Sequence, residues 1–222
     1  MMDLSARRLA IFPALLLCLT VPAPAENLPV RVVLMGDSYI TSFGVDTKDT
    51  FGVGLEAALK ADGLLVQVTD TGYVATAYRG REGLDRFLTS EIFLGGTGPR
   101  AVILELGSND CGRYTLEETQ ASLDAVLAEL ANRQIPVLVA GTTAYDTCPK
   151  KDRPDYPARY VQMFADLAAK YGDLYYRDFK EGVSGHPDLM QSDRDHPNRD
   201  GDAVIVANML PIVRELVARA QP

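Results

Sequence analysis

The run Val30-Arg31-Val32-Val33-Leu34-Met35, closed by Gly36-Asp37-Ser38, decides the fold of this chain. It is short, rich in β-branched and aliphatic side chains, and stops at a glycine followed by two polar residues. That is the pattern of a strand buried on both faces and leading into a turn. Four further apolar runs, 65–69, 101–106, 136–140 and 174–177, each give way to a polar stretch carrying Gly or Asp. Between them, 51–61, 84–88, 116–132 and 158–171 space their apolar residues by three and four, as helices with one buried face do, and a last helix is expected over 202–218. Thr115-Leu116-Glu117-Glu118 has the form of a capping box at one of these starts. Strand and helix alternating in this way predict an α/β fold with a five-stranded parallel sheet covered by helices on both faces.

With 47% apolar and 23% charged residues among 222, and 18 Gly and 13 Pro scattered rather than clustered, the chain shows no linker or repeat, so one domain is expected. A net charge of −8, with no basic run after residue 8, excludes a nucleic-acid-binding face. Residues 1–25 read differently: Arg7 and Arg8 precede the apolar run 9–21, and Ala23-Pro24-Ala25 offers a small-residue cleavage site. A signal peptide over 1–25 and an exported domain over 26–222 are the expectation. The apolar run falls short of the ~20 residues a spanning helix needs, and Leu17 stands where a lipoprotein signal has a small residue before its Cys. Cleavage would remove Cys18 and leave Cys111 and Cys148 in an oxidising compartment, where one disulfide between them can persist; two unrelated thiols are the alternative. The expected product is a secreted or periplasmic monomer with no stable membrane insertion.

Ligands of open parallel sheets bind outside the carboxyl ends of the strands, so the residues after each apolar run are where chemistry is sought. Those residues are Gly36-Asp37-Ser38, Asp70-Thr71-Gly72 and Gly107-Ser108-Asn109-Asp110, with Asp193-Arg194-Asp195-His196-Pro197-Asn198 ahead of the last helix. A hydroxyl attacks a carbonyl well only when a base takes its proton, and His suits that task near neutrality. The chain has two: His186 has no acid at short spacing before it, whereas His196 has Asp193 three residues earlier and Asp195 one earlier. Side chains three apart in a helical turn share a face, so Asp193 is expected to orient the imidazole and Asp195 to point to solvent or cap the turn. Ser38 is the expected nucleophile, with the amides of Ser38 and Gly72 and the Asn109 side chain as oxyanion donors, each worth about 3 kcal/mol. Each residue alone has an ordinary role: Ser38 a helix cap, Gly72 a turn, Asn109 an Asx turn, His196 a surface residue. Their concurrence at the strand ends of one sheet supplies every part of an acyl-transfer site. Asp193, Asp195 and Asp200 have the composition of a calcium loop but not its spacing.

These blocks resemble the GDSL-type, or SGNH, hydrolase family, named for site residues Ser, Gly, Asn and His. The residues carrying the resemblance are 32–38, 70–72, 102–110 and 188–198, in family order. The resemblance implies a three-layer α/β/α, flavodoxin-like fold without cofactor or metal. It also implies hydrolysis of carboxylic esters or thioesters through an acyl-enzyme on Ser38, the small-molecule substrate being an acyl ester, lysophospholipid or aryl ester. The ending His196-Pro197-Asn198-Arg199-Asp200 and the small size are most similar to the bacterial secreted thioesterase, lysophospholipase and arylesterase branch. A carbohydrate O-deacetylase or acyltransferase acting on envelope polysaccharide would use the same site, and a non-enzymatic flavodoxin-like binding module is a more distant reading. The chain departs from the family pattern in Tyr39, where Leu is usual, in Asp70, where Asn is usual, and in Tyr73-Val74-Ala75-Thr76, which replaces a small-residue run. Residues 93–98 offer either a lid or a plain connection, and Tyr145, Tyr156 and Met190 are candidates for pocket lining or ordinary packing.

Overall fold

The computed structural model of the chain describes residues 28–90, 98–143, 148–150 and 152–221. The expected signal peptide, Tyr145 and most of the 93–98 segment lie outside them. Strand β1 (Val30–Gly36) is buried along its whole length. It pairs in parallel with β2 (Val66–Tyr73) on one side and β3 (Arg100–Glu105) on the other. β4 (Val137–Ala140) and β5 (Leu174–Tyr176) extend the sheet in the order β2-β1-β3-β4-β5, all parallel. Alternate residues of each strand feed two separate cores. Val33, Met35, Val102, Leu104 and Val139 face one side, and Val32, Leu34, Ile103 and Leu138 the other. This is why the strands read as unbroken apolar runs, and each such side chain contributes about 1.5–3 kcal/mol by leaving water.

Helices α1 (Phe51–Ala61), α2 (Ala77–Glu82), α3 (Leu84–Leu88), α4 (Leu116–Asn132), α5 (Tyr156–Tyr171) and α6 (Arg199–Ala220) cover both faces. α1 packs with α6 on one side, through Leu55, Leu59, Ile205, Met209 and Val213; α4 and α5 share the other, through Leu123, Leu127, Tyr160 and Phe164. The three-layer α/β/α architecture is thus the expected one. The capping box holds: the Thr115 hydroxyl accepts from the Glu118 amide, while the Glu118 carboxylate accepts from the Thr115 amide.

Differences from the sequence expectation shape the surroundings of the crevice. α2 was not anticipated. α6 begins at Arg199 rather than 202, because Asn198 caps it, its side-chain oxygen accepting from the amides of Asp200 and Gly201. β2 runs through Asp70-Thr71-Gly72 instead of ending before it. Leu34 pairs with Asp70 and Gly36 with Tyr73, so β2 carries one extra residue, a bulge that Gly72 enters at φ +81°. Strand order reverses at β1, whose two neighbours lie on opposite sides of it. The crevice beyond the carboxyl ends of β1 and β3 is therefore the place this topology provides for a ligand.

Candidate active site

Ser38 lies on the tight turn leaving β1. Gly36 permits that turn, since a Cβ there would collide with the Glu105 backbone and the Ile40 side chain. The Asp37 carboxylate accepts from the Tyr39 amide (3.0 Å) and the Phe43 amide donates to the Ser38 carbonyl (3.0 Å), which fixes the loop around the hydroxyl. His196 arrives from a separate loop, closed by an antiparallel bridge between Met190 and Pro197 and by the Gln191 amide donating to the His196 carbonyl (2.8 Å). Arg194 takes φ +60° at the apex of that loop.

The two loops meet at hydrogen-bond distance. His196 Nε2 is 2.9 Å from Ser38 Oγ, and His196 Nδ1 is 2.8 Å from Asp193 Oδ2. Asp193 Oδ1 accepts from the amides of Asp195 (3.0 Å) and His196 (3.1 Å). Partial desolvation pushes the Asp193 carboxyl up, but those two amides and the His196 ring outweigh it and hold it at about 2. An ionised carboxylate can only accept, so Nδ1 carries the hydrogen and Nε2 is left free to accept one from the Ser38 hydroxyl. The expected trio of Ser38, Asp193 and His196 is therefore one continuous hydrogen-bonded chain. His186 is exposed, at the start of a short 3-10 turn (Pro187–Leu189).

Beneath Ser38 lie two buried carboxyls, Asp37 and Glu105, both fully inaccessible. The Asp37 amide donates to the Glu105 carbonyl (3.2 Å) and to Glu105 Oε2 (3.4 Å). Asp37 Oδ2 accepts from the Ser108 hydroxyl and from Asn109 Nδ2 (3.1 Å). Burial, then the nearby Asp37, pushes Glu105 well above the usual carboxyl range. Burial also raises Asp37, and the Ser108 hydroxyl opposes that rise. Asp37 Oδ2 is the acceptor that orients the Asn109 amide.

Gly72 was expected to donate to an oxyanion, and in the structure its one amide hydrogen goes to Asp70 Oδ1 at 2.7 Å. Asn109 keeps a second N–H beyond the one given to Asp37. The amides of Ser38 and Ala75 donate to no group among the described residues. Ala75 is pinned on both sides, by the Val74 amide donating to the Gly36 carbonyl (2.8 Å) and the Ala77 amide donating to Asp110 Oδ2 (2.9 Å). It therefore sits between the loops bearing Ser38 and Asn109. The signal that could have found it was its position: Ala75 lies in Tyr73-Val74-Ala75-Thr76, the stretch that stands where the family pattern has its small-residue run.

Asp195 also differs from expectation. It does not point to solvent: Oδ1 accepts from the Tyr39 hydroxyl (2.6 Å) and pairs with Lys180 Nζ (3.3 Å). With Asp193 on the His196 ring, Asp195 on Tyr39 and Lys180, and Asp200 on Arg199 (3.0 Å), the three aspartates of the supposed calcium loop serve different partners. Tyr156 and Met190 belong to the two cores rather than to the site. Phe43, which the sequence did not single out, is 63% exposed and sets its ring 5.3 Å from that of His196. A disulfide joins Cys111 to Cys148 (Cα to Cα 5.7 Å), tying the loop after β3 to the loop after β4 beside Asn109.

Three comparisons agree with this geometry. Residues 34–204 match the model of the GDSL-like lipase/acylhydrolase family. The chain is 26% identical to Esterase TesA of Pseudomonas aeruginosa over 207 residues, 91% of this chain and 94% of that protein. Among solved structures, the crystal structure of TesA superposes with a TM-score of 0.73 at 24% identity, covering 84% of this chain and 99% of that one. AlinE4, an SGNH-hydrolase family esterase, superposes at 0.66 with 28% identity, covering 84% of this chain and 96% of its own.

Proposed function

Because this chain belongs to the GDSL-like lipase/acylhydrolase family, as a serine esterase, we propose that it cleaves small carboxylic esters and thioesters through an acyl-enzyme on Ser38. The observation that carries this reading is the unbroken chain from Asp193 Oδ2 through the His196 ring to Ser38 Oγ, with steps of 2.8 and 2.9 Å. As Ser38 Oγ bonds to the substrate carbonyl carbon, His196 Nε2 takes its proton and Asp193 stabilises the imidazolium that forms. The developing oxyanion is held by the Ser38 amide, the free N–H of Asn109 and the Ala75 amide, each contributing about 3 kcal/mol where it acts. The alcohol or thiol leaves with the proton from His196. Water then attacks the acyl-enzyme, giving its proton to the same nitrogen, which passes it to Ser38 Oγ as the bond to the acyl carbon breaks and the acid departs.

The exposed Phe43 beside His196 offers an apolar surface to the acyl or leaving group, and an alkyl chain laid against it would leave water on binding. The disulfide supports an oxidising workplace outside the cytoplasm. The test is Ser38→Ala, assayed with p-nitrophenyl acetate and butyryl thiocholine and with a fluorophosphonate probe. Turnover and labelling should both vanish while the melting temperature stays put; retained turnover would refute the assignment.

A further inference from the structure

Ser38 and His196 come from loops 158 residues apart in sequence, and their hydrogen bond alone cannot hold those loops in register. The residues next to them are joined as well. The hydroxyl of Tyr39, directly after Ser38, donates to Oδ1 of Asp195, directly before His196, at 2.6 Å. Tyr39 is only 4% exposed, so its hydroxyl has been brought out of water to make this contact. Lys180 completes the joint: its ammonium donates to the Asp195 carbonyl at 2.7 Å, pairs with Asp195 Oδ1 at 3.3 Å, and sits 3.9 Å from the centre of the Tyr39 ring. The Lys180 side chain is 2% exposed, and a buried ammonium is tolerated only where its partners are fixed. Burial pulls Lys180 below its usual value, and Asp195 works against that pull.

We propose that Tyr39 and Asp195 are positioning residues, a clasp that sets the distance between Ser38 Oγ and His196 Nε2 for proton transfer. The inference rests on the reading of Ser38 and His196 as nucleophile and base. Tyr39 stands where Leu is usual in the family pattern, and Leu has no hydroxyl to make such a bond. Reactions of this kind are sensitive to placement, a misfit of about 1 Å costing up to about a hundredfold. A tether acting only on folding would lower stability and leave the chemical step alone.

The experiment compares Tyr39→Phe, Asp195→Ala, Asp195→Asn and the Tyr39→Phe/Asp195→Ala double variant in the full chain, with Ser38→Ala as reference. The readouts are kcat and KM on p-nitrophenyl acetate, and melting temperature. Tyr39→Phe and Asp195→Ala are each expected to lower kcat about tenfold, equivalent to about 1.4 kcal/mol, with KM within about twofold. The double variant should be no slower than the slower single, because both remove the same bond. Asp195→Asn retains an oxygen to accept from Tyr39 and should stay within about threefold of the parent. An unchanged kcat in Tyr39→Phe, additive losses in the double variant, or Asp195→Asn as slow as Asp195→Ala would overturn the clasp. Tyr39→Phe keeps its ring under Lys180, so if Asp195→Ala fails to fold, the kcat of Tyr39→Phe decides. Turnover surviving in Ser38→Ala would overturn the underlying site reading instead, which keeps the two failures distinct.

Discussion

Replacing Asp193 tests the order of the hydrogen-bonded chain, because two substitutions of different size should rank in a counterintuitive way. In Asp193→Asn the two amides of Asp195 and His196 still need an acceptor, so the Asn oxygen takes the place of Oδ1 and its NH2 faces His196 Nδ1. Nδ1 must then accept, which puts the hydrogen on Nε2, pointing at Ser38 Oγ, where no proton can be received. Restoring the working tautomer sets N–H against N–H, losing a charge-assisted bond of about 1.5–3 kcal/mol and leaving a donor unsatisfied for about another 1–3. A buried triad suffers about 10⁴-fold from this change. The Asp193 side chain is 44% exposed, however, and water softens the penalty, so about 10²- to 10³-fold is expected in kcat/KM. Asp193→Ala admits water, which satisfies either tautomer and forfeits only the support of the imidazolium, about 10- to 100-fold. The smaller side chain should therefore be the faster enzyme. The assay is kcat/KM on p-nitrophenyl acetate at pH 8, and Asp193→Asn equal to or faster than Asp193→Ala would refute the tautomer argument. The parent Asp193 carboxyl, held at about 2 against its ordinary 3.8, gives the fold stability that is present above about pH 4 and lost as pH falls toward 2.

Asp202 is 2% exposed, and burial lifts it to about 7, with the nearby Ser42 hydroxyl and Phe51 amide opposing. The unfolded chain ionises this group above 3.8 and the folded one only near 7, so wild-type stability should fall across that window, by at most about 4 kcal/mol and by about 2 after relaxation. Asp202→Asn should flatten the fall in urea unfolding at pH 4.5 and 8; an unaltered pH dependence would show the carboxyl to be solvated. The Cys111–Cys148 bridge closes a loop of sequence separation 37, and replacing both with Ser should lower unfolding free energy by about 2–4 kcal/mol. An equal melting temperature with and without reductant in the parent would count against the bridge.

What the sequence made legible was whatever repeats locally. The helices over 51–61, 84–88 and 116–132 end where their periodic patterns end, because the apolar spacing that predicts them is the spacing that packs them. That Ser38, Asp193 and His196 would meet was legible for a similar reason: a glycine-closed strand end and an acid three residues before a histidine are short patterns with chemical meaning. α2 was not, since the residues it buries, Ala77 and Gly80, are too small to read as an apolar face. The partner of the Gly72 amide was equally hidden. Whether Gly72 gives its amide to substrate or to Asp70 depends on a bulge that arises only when β2 pairs with β1.

Asp195 shows why adjacency to a histidine was a poor guide to function. Two aspartates flank Arg194, which turns at φ +60°, and that turn sends their carboxyls to different sides of the loop. Asp193 meets the ring of His196, while Asp195 meets Tyr39 and Lys180, groups that sequence distance separates by 156 and 15 residues. The same loop is anchored from its far end by Asn198, whose NH2 donates to the carbonyls of Asp188 (2.8 Å) and Met190 (3.2 Å) while its oxygen caps α6. His196 is thus referenced to α6 through Asn198 and to β1 through Tyr39. On the proposed mechanism, a base held from both sides would need little rearrangement as Ser38 attacks, which is the form in which a rigid scaffold lowers an activation barrier.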